Sequence, residues 1–191
     1  MKKVTVKKNE VINLANIVTS LRLFGAIALI FIEPLGAAFY TVYTICGLSD
    51  GIDGTIARKM GTSSEFGARL DSVSDIAFYL VMFIKLMPVL WEMMPMWLWY
   101  LVGVVLVVRL CAYGLAYLKY HQMAAIHTYI NKVTGALVFL IPYMLLLPCE
   151  VTLCAITACV ALIGSAEELL IHAVSPVYQT ERKSIFAKPV K

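Results

Sequence analysis

Apolar runs of roughly 15–20 residues recur along the whole chain, close to the ~20 residues that an α-helix needs to cross a bilayer. That recurrence predicts an all-α integral membrane protein with several spans. Composition agrees. Only 15% of residues are charged and 61% are hydrophobic, against a charged share of about 25% in ordinary soluble domains. Mean hydropathy is +0.82. The 191 residues are sized for a single domain covering 1–191. A net charge of only +4 gives no reason to expect a nucleic-acid partner. Cys46, Cys111, Cys149, Cys154 and Cys159 form no CxxC pair and fall mostly inside apolar runs, as small core residues do.

Six spans are expected, taken in order. Residues 1–12 carry Lys2, Lys3, Lys7 and Lys8. A signal peptide is one reading of this lead, but the polar stretch is long and Gly36-Ala37-Ala38 is a weak cleavage site. Asn13, Asn16, Thr19 and Arg22 recur every three residues with Leu14, Ile17, Val18 and Leu21 opposite them. This suits an amphipathic juxtamembrane segment over 1–22 that leads into a first span ending near Ile32. Residues 33–36 read as a tight turn. A second span over 37–48 continues as helix through Asp50 and Asp53, and 59–64 form a polar connection. The third span covers 66–89 and the fourth 97–118. Trp91, Trp97, Trp99 and Tyr100 lie around the turn between them as an interfacial belt, with an inward setting left open for Trp99. A polar stretch over 119–132 contains His121 and His127, readable as solvated loop residues or as acceptor ligands. The fifth span covers 133–147. The sixth covers 151–171, interrupted late by Glu167 and Glu168, and a loose basic tail takes up 173–191.

Six spans put both termini on one side. Of the 16 Lys and Arg residues, 14 then fall on that side, and the other two, Lys85 and Arg109, lie within spans. By the positive-inside rule both termini and both polar loops are cytoplasmic, in a multi-pass protein of the cell membrane.

The four aspartates of the chain all lie within residues 50–75: Asp50 and Asp53 three apart, Asp71 and Asp75 four apart. On a helix either spacing puts both side chains on one face. Four uncompensated carboxylates in a membrane would cost on the order of 10 kcal/mol. Pairing with Arg58 and Arg69 would offset part of that. A cation site would offset more. Oxygen-only ligands favour Mg²⁺ or Mn²⁺ over zinc, and four carboxylates from two adjacent helices suit two ions about 3.5–4 Å apart. Gly51 and Gly54 bracket Asp53, and Gly67 lies one turn before Asp71. With Ala57 and Ala68 they let helices approach closely or admit a bulky substrate.

The pattern Asp50-x2-Asp53-Gly54-x2-Ala57-Arg58-x8-Gly67-x3-Asp71-x3-Asp75 resembles the full signature of the CDP-alcohol phosphotransferase (CDP-alcohol phosphatidyltransferase) family. It fixes eight positions over 26 residues. The resemblance implies six transmembrane helices with a cytoplasmic-side active site, and transfer of a substituted phosphoryl group from a CDP-linked donor to an alcohol with release of CMP. It implies CDP-diacylglycerol as donor, a small polar alcohol as acceptor, and a homodimer in the lipid bilayer. Asp50, Asp53 and Asp71 would hold the divalent ions. Asp75 would complete the metal site and act as general base. Asp50, Gly54, Ala57, Arg58 and Gly67 would shape the cytidine diphosphate pocket.

For the acceptor, Arg109 and Lys132 are candidates to grip a phosphate, with Arg69 as a third. Pairing of Arg109 with a glutamate or aspartate is the structural alternative. The phosphate reading favours sn-glycerol 3-phosphate, then an inositol phosphate. The Asn13/Asn16/Thr19/Arg22 stripe also resembles the start of phosphatidylglycerophosphate synthases. Against that, those enzymes usually read LDPxADK at the second pair, whereas this chain has Leu70-Asp71-Ser72-Val73-Ser74-Asp75. The LDS form resembles phosphatidylserine synthases, although their following SFG stretch is missing. Two other classes stand beside these. An aspartate-rich membrane prenyltransferase would need a second, separated cluster. A cation carrier would hold its carboxylates near the bilayer midplane, not beside a loop bearing Arg58 and Lys59.

Overall fold

A computed structural model describes residues 14–60, 65–121, 126, 128–175 and 183–185, with side chains over 19–49 and from 73 onward within those ranges. Among the described residues there are six helices and no strand. They are α1 (Leu14–Phe31), α2 (Ala37–Met60), α3 (Glu65–Met93), α4 (Met96–Tyr120), α5 (Tyr129–Met144) and α6 (Glu150–Val174). Three segments are long and apolar enough to cross a membrane: Val73–Met93 of α3, all of α4 and all of α6. Thr19–Phe31 and Ala37–Ser49 are shorter apolar stretches of α1 and α2. Large side chains such as Phe31 (83% exposed) and Leu118 (76%) point outward. A soluble monomer rarely exposes apolar surface on this scale, whereas lipid solvates it.

The chain divides into two compact units, residues 1–92 and 93–191. In the first, α1 and α2 approach closely at Gly25. A Cβ there would lie 2.3 Å from the Cys46 sulfur, so a larger residue would require that side chain or the helix to shift. The turn between them places Leu35 at φ 64°, a left-handed conformation that costs a branched residue energy. Phe39 and Tyr43 of α2 stack at 5.7 Å, and Tyr43 stacks on Phe78 of α3 at 5.5 Å. All three rings are buried. Lys85 sits within the third apolar run, and its ammonium donates to the Ile32 carbonyl at 2.9 Å. There it closes the C-terminal end of α1, where carbonyls lack helical partners and a cation is favoured.

The second unit repeats this device. Lys119 of α4 donates to the His172 and Ala173 carbonyls, each at 3.0 Å, at the end of α6. The Tyr120 hydroxyl joins it, donating to His172 and Ser175 carbonyls. Helices α5 and α6 meet at Gly164, where a Cβ would lie 2.9 Å from Asn131 Oδ1 and 3.0 Å from Ile130 Cγ2. Thr128 caps α5, its side chain accepting from Asn131 N.

Several boundaries differ from the sequence reading. Helix α5 starts at Tyr129 and ends at Met144, because the Thr128 cap, not the first apolar residue, sets its start. Helix α6 is not interrupted at Glu167 and Glu168 but runs on to Val174, with Ser175 as its C-cap. Nor is the tail loose throughout. The Lys183 carbonyl accepts from Tyr129 N at 3.0 Å, and Glu167 Oε1 accepts from Ser184 Oγ at 2.8 Å and Ile185 N at 3.1 Å. Trp91, Trp97 and Tyr100 are exposed, while Trp99 is half-buried.

Candidate active site

The signature residues fall on two consecutive helices of the first unit. Asp50, Asp53, Gly54, Ala57 and Arg58 lie in the C-terminal half of α2, which stays helical through Met60. Gly67, Arg69, Asp71 and Asp75 lie in the first turns of α3. A continuous helix gives both expected aspartate spacings a shared face. Except for Asp75, the side chains of these residues lie outside the described ones. Among the described residues no group of three or more His, Cys, Asp or Glu converges as a metal site.

Asp75 is therefore the signature residue whose side-chain surroundings are visible. Its Oδ1 lies 3.1 Å from Nη1 of Arg22, with the aspartate side chain 38% exposed and the arginine 1%. The Arg58 and Arg69 side chains, the pairing candidates read from sequence, lie outside the described residues. A buried cation deprived of its countercharge costs about 3–5 kcal/mol, so Asp75 makes Arg22 tolerable inside the unit. A second contact fixes the register of α1 against α3. The buried Ser74 hydroxyl donates to the Thr19 carbonyl at 3.4 Å, one turn before Arg22. On the other side, the Cys46 thiol of α2 donates to the Arg22 carbonyl at 3.8 Å. The sequence held a signal for this. Thr19 and Arg22 belong to the three-residue polar stripe, and both are buried, so this end of the stripe faces protein and not headgroups.

The acceptor candidates sit in the second unit. Arg109 of α4 donates to Glu168 of α6 through Nη1. Through Nη1 and Nη2 it also reaches Asn131 Oδ1 of α5, each at 3.3 Å. Glu168 is completely buried. It also accepts from Asn131 Nδ2 at 3.1 Å and Ile126 N at 3.0 Å, and His172 Nε2 lies 4.0 Å away. Asn131 Nδ2 closes the loop on the Ile126 carbonyl at 2.9 Å. Charge-assisted bonds of this kind are the strong ones, and here they join three helices to the segment preceding α5. Arg109 is thus matched by a glutamate, one of the two pairings weighed from sequence. Lys132 is exposed in the first turn of α5. Arg69 and His127 lie outside the described side chains. His121 is an exposed left-handed cap on α4, its ring edge-on to Tyr117 at 6.1 Å. Glu168 and Asn131 escaped the sequence reading as a pair, although a glutamate inside an apolar run already demands a partner.

Three helices long and apolar enough to cross a membrane, with aspartate pairs on the successive helices α2 and α3, define a class of helical membrane proteins. Family comparison places the chain within that class. The family model described as CDP-alcohol phosphatidyltransferase matches residues 12–171, and the chain belongs to that family. It is similar to the CDP-diacylglycerol–serine O-phosphatidyltransferase of Methanocaldococcus jannaschii, 31% identical over 70 residues. That match covers 37% of this chain and 32% of the relative, so it spans about a third of the relative's length. No solved structure matches the chain.

Proposed function

We propose that the protein transfers the phosphatidyl group of CDP-diacylglycerol to the hydroxyl of a small polar alcohol and releases CMP. The observation that carries this reading is the eight-position signature, set on the helical backbone of α2 and α3 inside a family match covering 12–171. Asp50, Asp53 and Asp71 would hold two Mg²⁺ or Mn²⁺ ions, with Asp75 completing the set. Their hard oxygen donors fit such ions, and so does their placement on two successive helices. Bound there, the ions would neutralise diphosphate charge and ease the departure of CMP. Asp50, Gly54, Ala57, Arg58 and Gly67 would line the cytidine diphosphate pocket. Asp75, partly exposed and held by Arg22, would take the acceptor proton as general base.

Serine now stands ahead of sn-glycerol 3-phosphate as acceptor. The phosphate reading leaned on Arg109, whose charge is matched by the buried Glu168. The LDS form at Leu70-Asp71-Ser72 and the relative that acts on serine favour an acceptor without a phosphate. Lys132 and Arg69 stay as the cations that would serve a phosphorylated acceptor. The charge bias of the loops supports a cytoplasmic site in the cell membrane, and the family resemblance supports a homodimer.

An acceptor panel tests the reading. Purified protein with Mn²⁺ and CDP-diacylglycerol is expected to release CMP when serine is added, and far less with sn-glycerol 3-phosphate, inositol phosphate or inositol. Release driven by glycerol 3-phosphate and not serine would restore the phosphate-binding role of Arg109 and Lys132. Silence across the panel would remove the donor assignment.

A further inference from the structure

Among the described residues, Arg22 is the most deeply buried charged group of the first unit, and the signature does not include it. We infer that Arg22 is a positioning residue of the transfer reaction: its guanidinium fixes the Asp75 carboxylate that receives the acceptor proton. The inference rests on the functional reading above.

Three features carry it. The guanidinium is confined, with its side chain 1% exposed, whereas Asp75 presents 38% of its side chain to the outside. One partner is enclosed and the other can meet a substrate while being held. The backbone on both sides of the pair is pinned as well. The Arg22 carbonyl accepts from Cys46 of α2 at 3.8 Å, and the Thr19 carbonyl accepts from Ser74, next to Asp75, at 3.4 Å. Finally, α1 and α2 lie close together at Gly25, three residues on from Arg22, where a Cβ would lie 2.3 Å from the Cys46 sulfur.

In the step that this serves, the acceptor oxygen forms a bond to the phosphorus bearing diacylglycerol. The bond from that phosphorus to the bridging oxygen breaks, and CMP leaves with its electron pair. The acceptor proton passes to the Asp75 carboxylate. A displacement of about 1 Å at such a group can cost about 100-fold in rate. Arginine keeps its proton under all working conditions, so Arg22 orients the base and does not replace it.

The test compares full-length Arg22→Gln and Arg22→Lys with wild type in detergent, with Mn²⁺, CDP-diacylglycerol and the acceptor that wild type uses. Arg22→Gln is expected to lower kcat about 100-fold while KM for CDP-diacylglycerol stays within about threefold. Arg22→Lys, able to supply a single N–H···O contact to Oδ1, should recover at least about tenfold of that loss. Adding Arg22→Gln to Asp75→Asn should change the residual rate less than about twofold, because Arg22 acts through Asp75. This double variant removes both charges together, so it serves as the test even where Arg22→Gln alone does not fold. A kcat within threefold of wild type for Arg22→Gln, a loss that lysine does not restore, or additive losses in the double variant would each overturn the inference. Wild type that releases no CMP would remove the functional reading and this inference with it. Active wild type beside an equally active Arg22→Gln would remove the inference alone.

Discussion

Each unit of the molecule holds an arginine–carboxylate pair between helices, and the two are buried in opposite senses. In α1–α3 the arginine is enclosed and the carboxylate of Asp75 is 38% exposed. In α4–α6 the carboxylate of Glu168 is enclosed and the arginine is 23% exposed. Glu168 accepts from Arg109, Asn131 and the Ile126 amide, which uses its lone pairs on the protein itself. Such a group locks helices together. An exposed carboxylate anchored from beneath is suited instead to meeting a ligand. Burial of the acid, not the mere presence of an ion pair, is what distinguishes the two.

The contrast is sharpest in stability. Glu168→Leu should lower unfolding free energy by about 3–5 kcal/mol, since it strands Arg109, Asn131 and a backbone amide. Thermal unfolding in detergent measures this. Arg109→Met combined with Glu168→Leu should recover much of the loss, as replacement of a buried pair by apolar residues often does. A midpoint unchanged by Glu168→Leu would mean that the network contributes nothing. Smaller in effect is Glu167→Ala, which removes the acceptor of Ser184 and Ile185. Its expected cost is about 1.5–3 kcal/mol at most, with trypsin cutting at Lys183 sooner than in wild type and α6 otherwise intact. Equal cutting rates would show that Glu167 does not hold the tail.

Much of the architecture could be read from residue order. The apolar runs gave the helices, and the two aspartate spacings lie on α2 and α3 as periodicity requires. What could not be read was pairing at a distance. Arg22 and Asp75 are 53 residues apart, and no local spacing ties them, so residue order alone does not join Arg22 to the aspartates. Glu167 and Glu168 looked like an interruption because charge inside a span is costly in isolation. Each is satisfied by a segment that sequence alone leaves unplaced: the tail for Glu167, the segment before α5 for Glu168. Helix ends depart from the apolar runs for a related reason. Apolar content marks where lipid begins, whereas Thr128 and the Lys119 and Tyr120 contacts mark where the backbone hydrogen bonds end.

The central claim is that Asp75 works on a substrate while Glu168 works on the fold. CMP release from CDP-diacylglycerol by wild type and Asp75→Asn, each normalised to folded protein, tests it most directly. Asparagine keeps the size of the side chain and an oxygen facing Arg22 but cannot take the acceptor proton, so turnover should fall by about 10²–10⁴-fold. An Asp75→Asn protein that releases CMP within a few-fold of wild type would contradict the account.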